Sequence, residues 1–245
     1  MTSTFARPTP PRIATRAAVI DRRDLYAPIH KALRLAMGET LTRVGRMDAA
    51  DPADRAEALG QLESLLAMCV AHLRHENEFV HTAIDARQPA GSMRIAEEHE
   101  EHLASIAALR DEAAAVTAAT PADAPRLAHR LYRHLALFIA ENLQHMHIEE
   151  TLHNAILWEH YSDEELDALH GRLMASIAPE EHLRTARWIL PACTPAERAG
   201  MIGEARAQMP PEALLGVLAT VRPHLDAAGW SKLTSAAGVT PVFMA

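Results

Sequence analysis

The sequence predicts an all-α protein: an antiparallel up-down four-helix bundle with a C-terminal extension of short helices. Three observations carry that expectation. The 245-residue chain is rich in alanine, has only 4% aromatic residues, and shows no sustained alternation of β-branched residues, so helix is favoured over strand. Apolar residues recur three, four and seven apart through four long stretches between positions 24 and 161, the repeat of one helix face. Short breaks bearing Asp, Pro or Gly separate those stretches, and short connections make neighbouring helices antiparallel.

Residues 1–19 lack the apolar centre of a secretory signal and read as a flexible tail. A first helix is expected over about residues 24–46, with Tyr26, His30, Leu33, Met37, Leu41 and Val44 as its inward stripe. Pro28 suits its first turn, where no helical hydrogen bond is lost. A second helix follows over about residues 54–86, its stripe running from Leu65 through Cys69, His72 and Glu76 to Phe79 and Ala83. The turn QPAGS at 88–92 leads into a third helix over about residues 92–119, with Ile95, His99, His102, Ile106, Leu109 and Val116 inward. The break ATPADAP at 119–125 precedes a fourth helix, which runs to about residue 161. Its inward side carries Leu131, Phe138, His145, Glu149, Leu152 and Ile156.

Residues 20–161 thus form the expected bundle, and residues 162–245 an extension punctuated by Pro179, Pro191, Pro195, Pro210, Pro211 and Pro223. SDEE at 162–165 and TPAE at 194–197 read as capping boxes, each opening a short helix. Trp158, Trp188 and Trp230 are the expected packing anchors. The extension holds no second cluster of ligating residues, and reads as a cap, a lid or a homodimer surface.

A formal charge of −8 argues against a nucleic-acid partner. No apolar run reaches the eighteen or so residues of a membrane span. Two cysteines, Cys69 and Cys193, are too few for a disulfide framework and point to a reducing cytoplasm.

The chain has fifteen histidines, and their placement matters more than their number. His30, His72, Glu76, His99, His102, His145 and Glu149 all fall on inward faces. Counting from each turn at 1.5 Å per residue puts all seven within roughly two or three helical turns of one layer. Unpaired, such groups would cost several kcal/mol each to bury, and metal coordination supplies the partners. A set of this size exceeds one tetrahedral zinc and suits two octahedral ions, iron or manganese; imidazole ligation without thiolate favours iron.

A ferritin-like alternative rests on ExxH, which occurs at Glu78–His81 and Glu150–His153. At about 100° per residue, Glu78, His81 and Glu150 turn away from the apolar stripes, and Glu39 lies opposite His30, so phase decides against it. His75, His81, His134, His147 and His153 are expected at the surface, flanking the site or behind the ligands. Arg34 either partners a bridging carboxylate or extends to solvent. Cys69 is expected to be an inert small hydrophobe.

One His on the first helix, HLRHE on the second, EEHEEH on the third and HMHIEE on the fourth resemble the hemerythrin-like, HHE cation-binding family over about residues 20–160. The resemblance implies an antiparallel four-helix bundle holding an oxygen-bridged pair of non-haem iron ions, with two carboxylates bridging the metals. The matching ligands are His30, His72, Glu76, His99, His145 and Glu149. Oxygen-carrying hemerythrins have HxxxH on the third helix and HxxxxD on the fourth, where this chain has HxxH, ending at His102, and HxxxE.

Two octahedral ions with all seven residues and an oxygen bridge keep one position open; without His102 they keep two. One open position suits a protein that binds or senses O2 or NO. Two suit an oxidase or peroxidase that brings O2 or peroxide to an organic substrate, with a redox partner. Iron storage or delivery, or repair of damaged iron centres, is a third expectation drawn from the family.

Overall fold

The computed structural model describes residues 22–239, and among these all regular structure is helical. The expected tail at 1–19 lies outside the described residues. No described helix is long and apolar enough to cross a membrane.

Helix α1 spans Ala27–Gly45, with Pro28 in its first turn. Asp24 Oδ1 accepts the N–H groups of Tyr26 and Ala27 at 2.8 and 3.0 Å, which satisfies donors the helix leaves unpaired. Helix α2, Pro52–His75, is capped by Asp51, whose side chain accepts the Ala53 N–H. It continues without a break through a π-helical turn at Glu76–His81 into α3, Thr82–Arg87. Helix α4 spans Met93–Ala118 and α5 spans Ala124–Ile148. A second π-turn, Glu149–His153, joins α5 to α6, Asn154–His160. Helix α1 packs on α2 and α5, and α4 packs on the same two. Leu33, Met37, Leu65, Leu66, Leu109 and Phe138 fill the space between them.

Close packing also governs the far end of α1. Gly45 lies against the Tyr132 ring so tightly that a Cβ there would stand 2.8 Å from it. The surface depression beside this contact, lined by Met47, His129 and Tyr132 among others, is about fifteen residues, roughly 22 Å, along α1 from His30.

The extension contains α7 (Asp163–Ser176), α8 (Pro179–Ala192), α9 (Pro195–Gln208), α10 (Pro211–Val221), a 3₁₀ turn (Arg222–His224) and α11 (Ala227–Ala237). Both capping boxes form, with Ser162 and Thr194 as the capping residues. Helix α8 lies along α1, and Trp188 enters the same core as Leu33 and Phe138. Trp230 anchors a separate core with Leu190, Ile202, Leu218 and Leu233. Trp158 is half-buried and donates its indole N–H to the Arg23 carbonyl. Ion pairs Lys31–Glu197 at 2.6 Å and Arg22–Asp163 at 2.7 Å add polar ties.

The two π-turns correct the predicted inward faces. A π-turn takes up one extra residue, so every later side chain falls about 100° short of its place in a continuous α-helix. Upstream of each turn the predicted stripe is buried. Downstream it slips by one residue: Val80 and Ile84 are buried where Phe79 and Ala83 were expected, and His153 and Leu157 where Leu152 and Ile156 were expected. Leu152 is 56% exposed. Local side chains support the widened turns. Thr82 donates to the Asn77 carbonyl at 3.3 Å and Asn154 to the Glu150 carbonyl at 3.2 Å.

Candidate metal centre

Six of the seven sequence-predicted ligands meet in one buried chamber. His30, on α1, faces His72 and Glu76 from the end of α2. His99, on α4, faces His145 and Glu149 from the end of α5. These residues make two overlapping groups that could each hold a metal ion: His30, His72, Glu76 and Glu149, then His99, His145, Glu76 and Glu149. Within each group one atom per residue lies within 4.8 Å of the others.

The two carboxylates lie between the histidine pairs. Glu76 Oε1 is 3.2 Å from His72 Nε2 and 3.7 Å from His30 Nε2, while its Oε2 is 3.6 Å from His99 Nε2. Glu149 mirrors this: Oε2 is 3.4 Å from His30 Nε2, and Oε1 is 3.3 Å from His145 Nε2 and 3.7 Å from His99 Nε2. Each acid therefore offers one oxygen to each pair. His30, His99 and Glu149 are wholly buried.

Outer partners orient the imidazoles by their other nitrogen. His30 Nδ1 is 3.0 Å from Glu150 Oε1, His99 Nδ1 is 2.7 Å from Asn77 Oδ1, and His145 Nδ1 is 3.0 Å from Glu98 Oε2. An acceptor at Nδ1 keeps the proton there and turns the Nε2 lone pair inward, as metal-binding histidines require. Arg34 donates to both oxygens of Glu150 at 2.6 and 2.9 Å. It thus steadies the acid behind His30 rather than a bridging carboxylate.

A metal fits these residues because of what they leave unsatisfied. His30 Nε2, His72 Nε2 and all four oxygens of Glu76 and Glu149 are buried with no hydrogen-bond partner. Such atoms are rare in folded proteins, and six converging on one space call for cations. The charge balance agrees. Burial and the facing charge of Glu149 push Glu76 up to about 8, against the pull of His30. Burial also opposes charge on Glu149, yet the facing imidazoles of His145 and His99 hold it well below the usual carboxylate range. Burial works against a charged His30, but the bond to Glu150 and the facing carboxylates of Glu76 and Glu149 raise it to about 9. Burial, with the His30 charge beside it, lowers His72, which favours the neutral form that ligates.

His102 stands apart. It is buried, with its ring 4.7 Å from that of His145 and 6.0 Å from Phe138, and it belongs to neither four-residue group. Burial and the neighbouring His145 and His99 lower it to about 4.

Three residues at the chamber were not among the expected ligands. His81 and His153, expected at the surface, flanking the site or behind the ligands, are 5% and 2% exposed and group with Glu149. Glu150, also read as turned away, holds His30 and Arg34; these bonds overcome burial and bring it down to about 2. Glu78 is exposed and Glu150 is held by His30 and Arg34, so neither ExxH acid joins a group of ligating atoms. Cys69 is buried, which pushes its thiol up to about 12 and leaves it inert, as expected.

Comparison of the chain with family models, curated proteins and solved structures finds no match.

Proposed function

We propose that residues 22–161 form a hemerythrin-like four-helix bundle whose chamber holds two non-haem iron ions and binds or senses O2 or NO. The observation that carries this reading is the paired placement of Glu76 and Glu149, each offering one oxygen to His30 and His72 and the other to His99 and His145. Imidazoles and carboxylates without thiolate favour iron over zinc in a pair of this kind. Bound there, a ferrous pair supplies the electrons that allow a diatomic ligand to be held reversibly. The residues keep the ions in place, fix each imidazole by its Nδ1 partner, and exclude water. Complete burial of His30, His99 and Glu149 favours a small ligand over an organic substrate.

His102 favours a second reading. Outside both groups, it leaves the pair a further open position, which would let O2 or peroxide oxidise a second molecule delivered with a redox partner.

Anaerobic reconstitution with ferrous iron, elemental analysis, and optical spectra under O2, NO and peroxide test both readings. A spectrum that appears under O2 and reverses under vacuum supports binding. Repeated consumption of a reductant with peroxide supports the oxidase or peroxidase. His72→Ala and Glu149→Ala are expected to lose iron while the helical spectrum persists. Full iron content in both variants would remove these residues from the centre, and absence of iron from the reconstituted wild type would end the reading.

A further inference from the structure

A third set of ligating atoms comes together at the side of the same chamber. His81, Glu149 and His153 each bring one atom within 4.8 Å of the others, and all three side chains are buried. His81 Nε2 is buried without a hydrogen-bond partner. Its ring stacks on His99 at 4.8 Å and meets His153 edge-on at 5.4 Å. The Tyr26 hydroxyl lies 3.0 Å from His153 Nδ1, so Nε2 is the nitrogen that remains.

We infer that His81, His153 and Glu149 form a third site, for a divalent transition cation such as ferrous iron, zinc or cobalt. Two imidazoles and one carboxylate with open positions suit such an ion, whereas magnesium and calcium prefer sets made of oxygen. The construction repeats that of the ligands beside it: Tyr26 engages the Nδ1 of His153 as Asn77 engages that of His99. A structural role alone does not account for His81, because a buried histidine serving the core normally has its polar nitrogens paired. His81 reaches the chamber because the π-turn at Glu76–His81 displaces it from the outer face, and His153 closes the second such turn. Such turns are frequent at functional sites.

The site rests on the proposed metal pair, since it shares Glu149, and this fixes the order of filling. Glu76 and Glu149 face the chamber, while the charges of Glu98 and Glu150 behind it are offset by Arg94 and Arg34, so two divalent ions already match or exceed the acids present. A third ion would sit in net positive potential and share an acid whose oxygens already face His30, His99 and His145. It therefore binds last and most weakly.

Titration of chelator-stripped protein with cobalt(II), followed by visible absorption and elemental analysis, tests the site. The wild type is expected to take up three ions per chain, the third at least about tenfold more weakly, and His81→Ala/His153→Ala to take up two with unchanged affinity. Anomalous scattering from cobalt-soaked wild-type crystals gives a reading that needs no variant, and a peak between His81 and His153 is expected. Saturation at two ions with no such peak overturns the third site and leaves the pair intact. A folded double variant that also loses the first two ions overturns it too, because the histidines would then serve the pair. No cobalt bound at all defeats the pair itself, and the third site with it.

Discussion

His99 and His145 point their Nε2 atoms at each other across 3.1 Å, from positions 46 residues apart in the chain. Each is anchored through Nδ1, by Asn77 and by Glu98. Two neutral rings held this way would set lone pair against lone pair, so the contact calls for a positive charge, either a proton or a metal ion. Competition between the two is measurable. His30 and Glu76, raised to about 9 and about 8, hold protons at pH 7 that ligation must expel. Uptake of two divalent ions at pH 7 is expected to release about two protons or more. Calorimetry in buffers of different ionisation heat reads that number, and uptake without proton release would contradict the assignment of His30 and Glu76 as ligands.

Glu150 touches no atom of the paired groups except through His30, yet it fixes that ring and is itself clamped by Arg34. Glu150→Gln keeps the shape and removes the charge. Loss of a partner behind a ligating histidine typically weakens metal binding about 10- to 100-fold. A competitive chelator titration of this variant, beside Arg34→Met, is expected to show the larger loss for Glu150→Gln. Equal affinity in wild type and both variants would reduce this contact to packing.

Trp188 joins the extension to the core that backs α1. Trp188→Ala removes a buried aromatic and is expected to cost about 3–5 kcal/mol. All the paired ligands lie at or before Glu149, so the folded fraction should retain its metal stoichiometry. Denaturant unfolding and elemental analysis on the same sample separate the two effects, and a cost below about 1 kcal/mol would show that α8 rests loosely on α1.

The Lys31–Glu197 pair ties α1 to the start of α9. The Lys31 ammonium and the Thr194 backbone N–H hold Glu197 below its ordinary value of 4.5. A lowered carboxylate contributes stability above its unfolded value and loses it as pH falls through the folded one. Glu197→Gln should therefore destabilise the chain at pH 7 and progressively less below pH 4.5. Both partners are about a third exposed, so the effect stays below about 1 kcal/mol and shrinks with added salt. A difference that grows on acidification would reverse the sign assigned here.

Helical periodicity was enough to locate His30, His72, Glu76, His99, His145 and Glu149, because each lies on regular helix or at the first residue of a π-turn. Beyond Glu76 and Glu149 the same 100° step misplaces His81 and Glu150, because it takes every turn to have one width. A signal was nevertheless present. Val80 with Ile84, and His153 with Leu157, continue at helical spacing but one residue out of step with the stripes before them. Asn77 and Glu98 gave no such sign: their value lies in reaching the far nitrogen of a histidine on another helix, which only coordinates reveal. The extension's capping boxes were legible, but the seating of α8 along α1 was not, because it depends on which apolar faces meet.

A π-turn is a length change of one residue, and a single-codon deletion can undo it. Loss of one residue within 77–80 or 150–152 would restore plain α-helix yet leave His81 or His153 facing the chamber, because the turn had absorbed that one residue. The two HxxxE pairs upstream would stay where they are. Either helix could thus gain or lose a residue at its turn without moving the side chains on both sides of it.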